Sequence, residues 1–146
     1  MILSLIERYP RHVRDLLAKH GLRPTWQRLA VLTALSNEDG DATAQEVHAA
    51  LRRQGQRVGL ATVYRTLAAL SERGIVDELS HHPRESCYRL CGEGHHHHLV
   101  CSDCHRVVEL GDCDLKDWLG RLGDAHGFTV TGHTVEVTGI CSDCRA

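Results

Sequence analysis

Leu60-Ala61-Thr62-Val63-Tyr64-Arg65-Thr66-Leu67-Ala68-Ala69-Leu70-Ser71-Glu72-Arg73, closed by Gly74, is the stretch from which the first half of the chain is read. Leu60, Val63, Leu67 and Leu70 recur at helical spacing and make one apolar stripe. Gly74 is placed to take the left-handed position that ends a helix. The opposite side carries Thr62, Arg65 and Thr66, with Tyr64 flanking. Upstream, Thr43-Ala44-Gln45-Glu46 has the form of a capping box, with Thr43 as N-cap and Glu46 reaching back. It opens a shorter helix whose Val47 and Leu51 face inward, and the polar turn Arg52-Arg53-Gln54-Gly55-Gln56-Arg57 joins the two. A short helix, a turn, then a helix with small polar residues and an Arg near its start is a helix-turn-helix layout. An Arg so placed can reach base edges or phosphates, and a Tyr ring can pack on a thymine methyl.

Further out, residues 2–20 read as an amphipathic helix stopped at Gly21, and residues 25–35 as a helix after Pro24, with Leu29, Val31, Leu32 and Leu35 apolar. Downstream, Ile75-Val76-Asp77-Glu78-Leu79 and Ser86-Cys87-Tyr88-Arg89-Leu90 flank the polar turn His81-His82-Pro83-Arg84-Glu85, which predicts a β-hairpin. Helices followed by a hairpin make a winged helix. Charge agrees with a polyanion partner for this half alone. Residues 1–75 carry a net +4 and residues 76–146 a net −6 within an overall −2.

The second half is organised by cysteine and histidine. Cys101-Ser102-Asp103-Cys104 and Cys141-Ser142-Asp143-Cys144 are two Cys-x-x-Cys pairs, the usual donors of a closed tetrahedral zinc site. Such a site would tie a mid-chain hairpin to the last residues. The four histidines just ahead, His95-His96-His97-His98, add imidazoles open to exchangeable metal. In extended backbone His96 and His98 face one way and His95 and His97 the other, so one short run can feed two sites. Val107-Val108-Glu109-Leu110 reads as a strand. Leu115, Trp118, Leu119 and Leu122 mark a helix running to about His126. Residues 129–138 alternate, with His133, Val135 and Val137 on one face, so His133 is expected to be a core or interface histidine. Cys113 and Cys87 are expected to be spare thiols, His81 and His82 to be solvated or near phosphate, and His105 to be a turn residue. One helix on a small antiparallel sheet buries little apolar area, which favours pairing of two sheets across a dimer axis.

These readings give an α+β chain: a winged helix-turn-helix DNA-binding domain over residues 1–90, then a small metal-binding dimerisation domain with a Cys₄ zinc knuckle over residues 91–146. Hydrophobic residues make up 42% of the 146, yet only one Phe, two Trp and three Tyr are present, so each half leans on metal or on a partner copy. The N-terminal apolar run is too short for a signal peptide, and no stretch approaches a membrane span. The chain is expected to be cytoplasmic, where thiols bind metal and structural disulfides are not formed. A hydrolase reading fails for want of a His-Glu-x-x-His helix or comparable paired base. A thiol redox reading fails because neither Cys-x-x-Cys opens a helix behind a thioredoxin-like strand. The chain is not expected to be an enzyme.

Gly59-Leu60-Ala61-Thr62-Val63-Tyr64-Arg65-Thr66-Leu67, then Gly74-Ile75-Val76, then the histidine run leading into Leu99-Val100-Cys101-Ser102-Asp103-Cys104, resemble the ferric uptake regulator family over nearly the whole chain. Tyr88-Arg89-Leu90-Cys91 and Thr138-Gly139-Ile140-Cys141-Ser142-Asp143-Cys144 look most like its zinc uptake regulators. The resemblance implies a homodimeric, zinc-responsive repressor of zinc-uptake genes that binds pseudo-palindromic double-stranded DNA. It implies structural zinc on Cys101, Cys104, Cys141 and Cys144, and a regulatory metal on Asp77, Cys91, His96 and His98. A second metal would lie on His95, His97, Glu109 and His126. DNA contacts are expected from Lys19, Thr25, Arg28, Thr62, Tyr64 and Arg65. Iron-sensing members usually carry a His before the third helix and a Glu in the last wing strand, where this chain has Asp41 and Arg89. Cys91 would supply the replacement donor, and a thiolate prefers zinc to iron(II) or manganese. A sensor of iron, manganese or peroxide in the same family is the alternative.

Overall fold

The computed structural model describes residues 5–38, 40–92 and 94–146, in two compact units, Met1–Cys91 and Gly92–Ala146. In the first, α1 (Arg11–Lys19), α2 (Trp26–Ser36), α3 (Ala44–Arg53) and α4 (Leu60–Glu72) pack around Leu17, Leu29, Leu32, Leu35, Leu51 and Leu67, each 0–2% exposed. Burial of these apolar side chains is the main stabilising term, at roughly 1.5–3 kcal/mol per large residue. The expected helix over residues 2–20 is shorter than its amphipathic pattern. Pro10 stands at the N-cap of α1, because proline lacks the N–H and clashes with the preceding turn; residues 2–4 of that expectation lie outside the described residues. The Thr25 hydroxyl caps α2 by accepting from the Arg28 amide. The capping box of α3 is formed in both directions: Glu46 N donates to Thr43 Oγ1, and Thr43 N to Glu46 Oε2. Gly74 follows α4 at φ +69°, the left-handed conformation that its place in the sequence requires.

The wing is the antiparallel pair β2 (Val76–Leu79) and β3 (Cys87–Leu90), in the register Val76↔Leu90 to Leu79↔Cys87. A two-residue strand, β1 (Ala42–Thr43), joins β3 from the other side, with Thr43 opposite Cys87, so the sheet order is β1-β3-β2. Nothing in the sequence pattern marked β1, which is too short to show alternation. One correction falls on α4. Val63, Leu67 and Leu70 are fully buried, as the stripe requires, but Thr66 is buried with them and only Thr62, Tyr64 and Arg65 remain accessible.

The second unit holds β4 (His97–Cys101), β5 (Val107–Leu110), α5 (Lys116–His126) and β6 (Glu136–Gly139), with sheet order β5-β4-β6. β4 pairs antiparallel with β5 but parallel with β6, so the sheet is mixed and not antiparallel throughout. The strand expected over residues 129–138 is confined to its end. Residues 128–135 carry no strand, and α5 ends at Gly127 (φ +71°), with Phe128 N donating to Gly123 O. Gly123 permits that turn, since a Cβ there would lie 2.6 Å from the Phe128 carbonyl oxygen. Among the described residues no helix is long and apolar enough to cross a membrane.

Candidate metal centres

Cys101 ends β4, Cys104 closes the turn after it, and Cys141 and Cys144 follow β6. The parallel β4–β6 ladder sets the two pairs side by side, since Cys101 is in register with Gly139 and Ser102 N donates to Gly139 O at 2.8 Å. The four sulfurs lie within 4.8 Å of one another, with Cys104 Sγ 3.7 Å from Cys141 Sγ. A tetrahedron of ~2.3 Å Zn–S bonds has edges of about 3.8 Å, so the donor set fits a closed zinc site. The knuckle turn passes through His105 in left-handed backbone (φ 61°), where His105 N donates to Cys101 O. The amides of Cys104, Cys141 and Asp103 hold the Cys101 thiol down to about 6, while the neighbouring thiols of Cys141 and Cys104 push Cys144 up. Crowded thiols oppose one another's ionisation, and a dication is what allows all four to ionise.

A second convergence involves the histidine run. His95 Nε2 lies 3.2 Å from His97 Nε2 and 3.1 Å from His133 Nε2, and Cys113 Sγ lies 3.1 Å from His133 Nε2. One donor atom from each of the four lies within 4.8 Å of all the others. Tetrahedral edges between nitrogens bound at ~2.0–2.1 Å are about 3.3 Å, so these residues can hold a metal with little rearrangement. Burial holds the His97 pKa below the ordinary histidine value, with His95 and His133 adding to the effect, so its ring stays neutral. Its Nδ1 accepts from the Val135 amide at 3.2 Å, which leaves the ring proton on Nε2. Ligation through Nε2 must displace that hydrogen bond.

The expected partners of His95 and His97 are therefore not the ones the structure gathers. Glu109 is paired with His98 in the β4–β5 ladder, which puts its side chain on the His98 face of the sheet, opposite His97, and its Oε1 accepts from the Gly92 amide. His126 is exposed in the last turn of α5. Cys113, after β5, and His133, in the irregular segment before β6, take those places, although the sequence pattern suggested a spare thiol and an interface histidine. The available signal was the odd thiol count: with five cysteines assigned, two remained, and Cys113 is one of them. Cys113→Ala and His133→Ala should each lower bound metal by one equivalent per chain in metal analysis by plasma mass spectrometry. Glu109→Ala and His126→Ala should leave it unchanged, and the reverse pattern would restore the expected set.

In the first unit the accessible face of α4 presents Thr62, Tyr64 (41% exposed) and Arg65, with Arg65 Nη2 donating to Thr62 Oγ1 at 3.3 Å. Arg28, in the first turn of α2, donates to Arg23 O, Thr25 caps that helix, and Lys19 ends α1. Asp77 stands opposite Arg89 across the wing, and Cys91 Sγ donates to Gly74 O at 3.0 Å. In the second unit the His96 and His98 rings are perpendicular, with centroids 5.0 Å apart.

Residues 19–138 match the profile of the Ferric uptake regulator family. The chain belongs to the ferric uptake regulator family. Within it, the chain is 47% identical over 126 residues to a zinc uptake regulation protein of Mycobacterium tuberculosis, covering 86% of this chain and 97% of that protein. It is 34% identical over 132 residues to the ferric uptake regulation protein of Escherichia coli, covering 88% and 89% respectively. Among solved structures it resembles a zinc uptake regulator complexed with zinc and DNA, with a TM-score of 0.76, 27% identity and coverage of 99% of this chain and 95% of that one. The Vibrio cholerae ferric uptake regulator gives a TM-score of 0.62 at 32% identity, covering 88% and 98%. The α+β fold is that of the family. As a member of the ferric uptake regulator family the chain is a metal-responsive transcriptional regulator and not an enzyme.

Proposed function

We propose that this ferric uptake regulator family member is a zinc-responsive repressor, which binds pseudo-palindromic operators in the cytoplasm as a metal-loaded homodimer and shuts zinc-uptake genes. Donor chemistry carries the choice of metal. The chain offers four clustered thiols, a further thiol in the histidine centre, and Cys91 as the third source of sulfur. Thiolate selects zinc over iron(II) and manganese at sites of this kind. The most similar of the relatives described above is itself named a zinc uptake regulation protein.

The Cys101, Cys104, Cys141 and Cys144 set is assigned to structural zinc. Regulatory zinc is assigned to Asp77 and Cys91 from the first unit with His96 and His98 from the second. Ligation by donors from both units restricts the reorientation of the winged helices and favours the arrangement that fits two half-sites. Lys19, Thr25, Arg28, Thr62, Tyr64 and Arg65 are assigned to DNA, with α4 entering the major groove. Dimerisation is assigned to the second unit, which leaves Phe128 74%, Trp118 51% and Val137 45% exposed in the isolated chain, more apolar surface than a small domain leaves in water without reason. Two-fold symmetry of the dimer is what makes the operator pseudo-palindromic.

The test is fluorescence anisotropy with DNA from upstream of zinc-uptake genes, at fixed salt because phosphate contacts make affinity salt-dependent. Buffered free zinc, iron(II) and manganese(II) are compared. Binding should switch on with zinc at free concentrations well below those needed for the other two, because a thiolate at the switch favours zinc. Equal support by iron(II) or manganese(II) would move the protein to the iron- or manganese-sensing branch.

A further inference from the structure

Three donors unused by the reading above meet inside the winged-helix unit. Asp41 immediately precedes β1, His81 lies in the turn between β2 and β3, and Cys87 opens β3. One oxygen of Asp41, one ring nitrogen of His81 and Cys87 Sγ lie within 4.8 Å of one another. Asp41 Oδ2 is 2.9 Å from His81 Nε2, and each of these side chains is only 2% exposed. Cys87 is 3% exposed, and its backbone is held opposite Thr43 by the β1–β3 ladder, so Asp41 and Cys87 are brought together by strand pairing.

The surroundings of this cluster are rich in carboxylate. The carboxylates of Asp41, Glu46 and Glu85 all stand close enough to act on the Cys87 thiol. Glu46 is engaged by the Thr43 amide in the capping box, but Glu85 Oε2 is buried with no hydrogen-bond partner among the described residues. Buried carboxylates left in this state are costly unless a cation meets them. A nucleophilic role is excluded by burial, because a reactive cysteine needs access and Cys87 has none.

We propose that Asp41, His81 and Cys87 form a further zinc site, lying wholly within the winged-helix unit, with the fourth position left to water. One sulfur, one nitrogen and one carboxylate oxygen are three protein donors suited to a zinc ion with an open fourth position, and the thiolate disfavours magnesium and manganese. The site joins the turn of the wing, the strand returning from it and the segment leading into α3, so the pose of the wing against the helices becomes dependent on metal. None of its residues belongs to the regulatory set assigned above, so the two assignments stand or fall separately.

The test is ¹¹³Cd NMR on the full chain loaded to saturation with ¹¹³Cd²⁺, with proton-detected correlation to cysteine Hβ and histidine ring protons. One cadmium resonance should correlate with Cys87 Hβ and with the His81 ring. Cys87→Ser and His81→Gln should abolish that resonance alone and lower bound zinc by one equivalent per chain, with the far-UV circular dichroism unchanged. Absence of any cadmium correlation to Cys87 in the unmodified protein overturns the proposal without recourse to a variant. So does a folded Cys87→Ser protein that keeps its full zinc content and every cadmium resonance.

Discussion

Cys101→Ala should leave the second unit, Gly92–Ala146, without a stable fold. The reason is the size of the unit's own core. Apart from Val100 and Cys101, few of its side chains are fully buried, while Trp118, Phe128, Val130 and Val137 stand exposed. Structural zinc in a four-ligand site contributes about 10–16 kcal/mol in small peptides, and a whole domain is stable by only about 5–15 kcal/mol. Loss of one thiolate therefore removes a term as large as the unit's net stability. Amide hydrogen exchange should show protection lost from β4, β5 and β6 but kept in α2, α3 and α4, whose core is independent. Metal analysis should show loss of the zinc on these cysteines together with metal at the histidine centre of the same unit, and size-exclusion chromatography the loss of the dimer. A normal dimer with no metal at these four cysteines would contradict the structural assignment.

Cys91→Ala should give the opposite result, a folded protein that no longer responds. Cys91 follows β3, is half-buried, and donates its thiol to Gly74 O in its own unit without joining the buried apolar core, so its removal takes little from that core. The circular dichroism and melting of both units should stay close to those of the unmodified protein. Zinc-dependent DNA binding should weaken by about 100-fold, because loss of a direct ligand costs at least as much as loss of the groups that orient one, for which 10–100-fold is usual. The anisotropy titration in buffered zinc measures this directly. An unfolded product would show that regulatory and structural roles are not separable at this position.

The two outcomes differ because the thiols sit in different mechanical settings. Cys101 ends the strand on which the antiparallel β5 ladder and the short parallel β6 ladder meet, so it joins all three strands of a small sheet. Cys91 lies at the last residue of a unit already closed by its own helices.

Much of this was legible along the chain. The capping box at Thr43 and Glu46, the Gly74 helix stop, the apolar stripe of α4 and the wing hairpin are local events, decided within three or four residues by backbone geometry and hydrogen-bond supply. The twin Cys-x-x-Cys pairs announce themselves by spacing, since two thiols three residues apart on a turn reach one ion. Thr66 was misread because a helical stripe wider than its apolar members takes small polar residues into the core.

Partnerships between distant segments were a different matter. The alternation of the histidine run was readable, but not which residues stood against each face. Strand register decided that: His98 opposite Glu109 sends the carboxylate to the face away from His97, and a shift of one residue would have reversed it. The irregular path from α5 to β6 then carries His133 to His95 and Cys113, where period-two alternation had foreseen an extended strand. Asp41, His81 and Cys87 come from three segments whose meeting depends on a two-residue strand that no pattern marks. Sequence alone determined α2 to α5, the capping box, the wing and the twin Cys-x-x-Cys pairs, because these depend on neighbours within one turn or one knuckle. Tertiary structure alone decided which donors share a site, because that depends on register and loop path, to which a side chain many residues away gives no local free-energy signal.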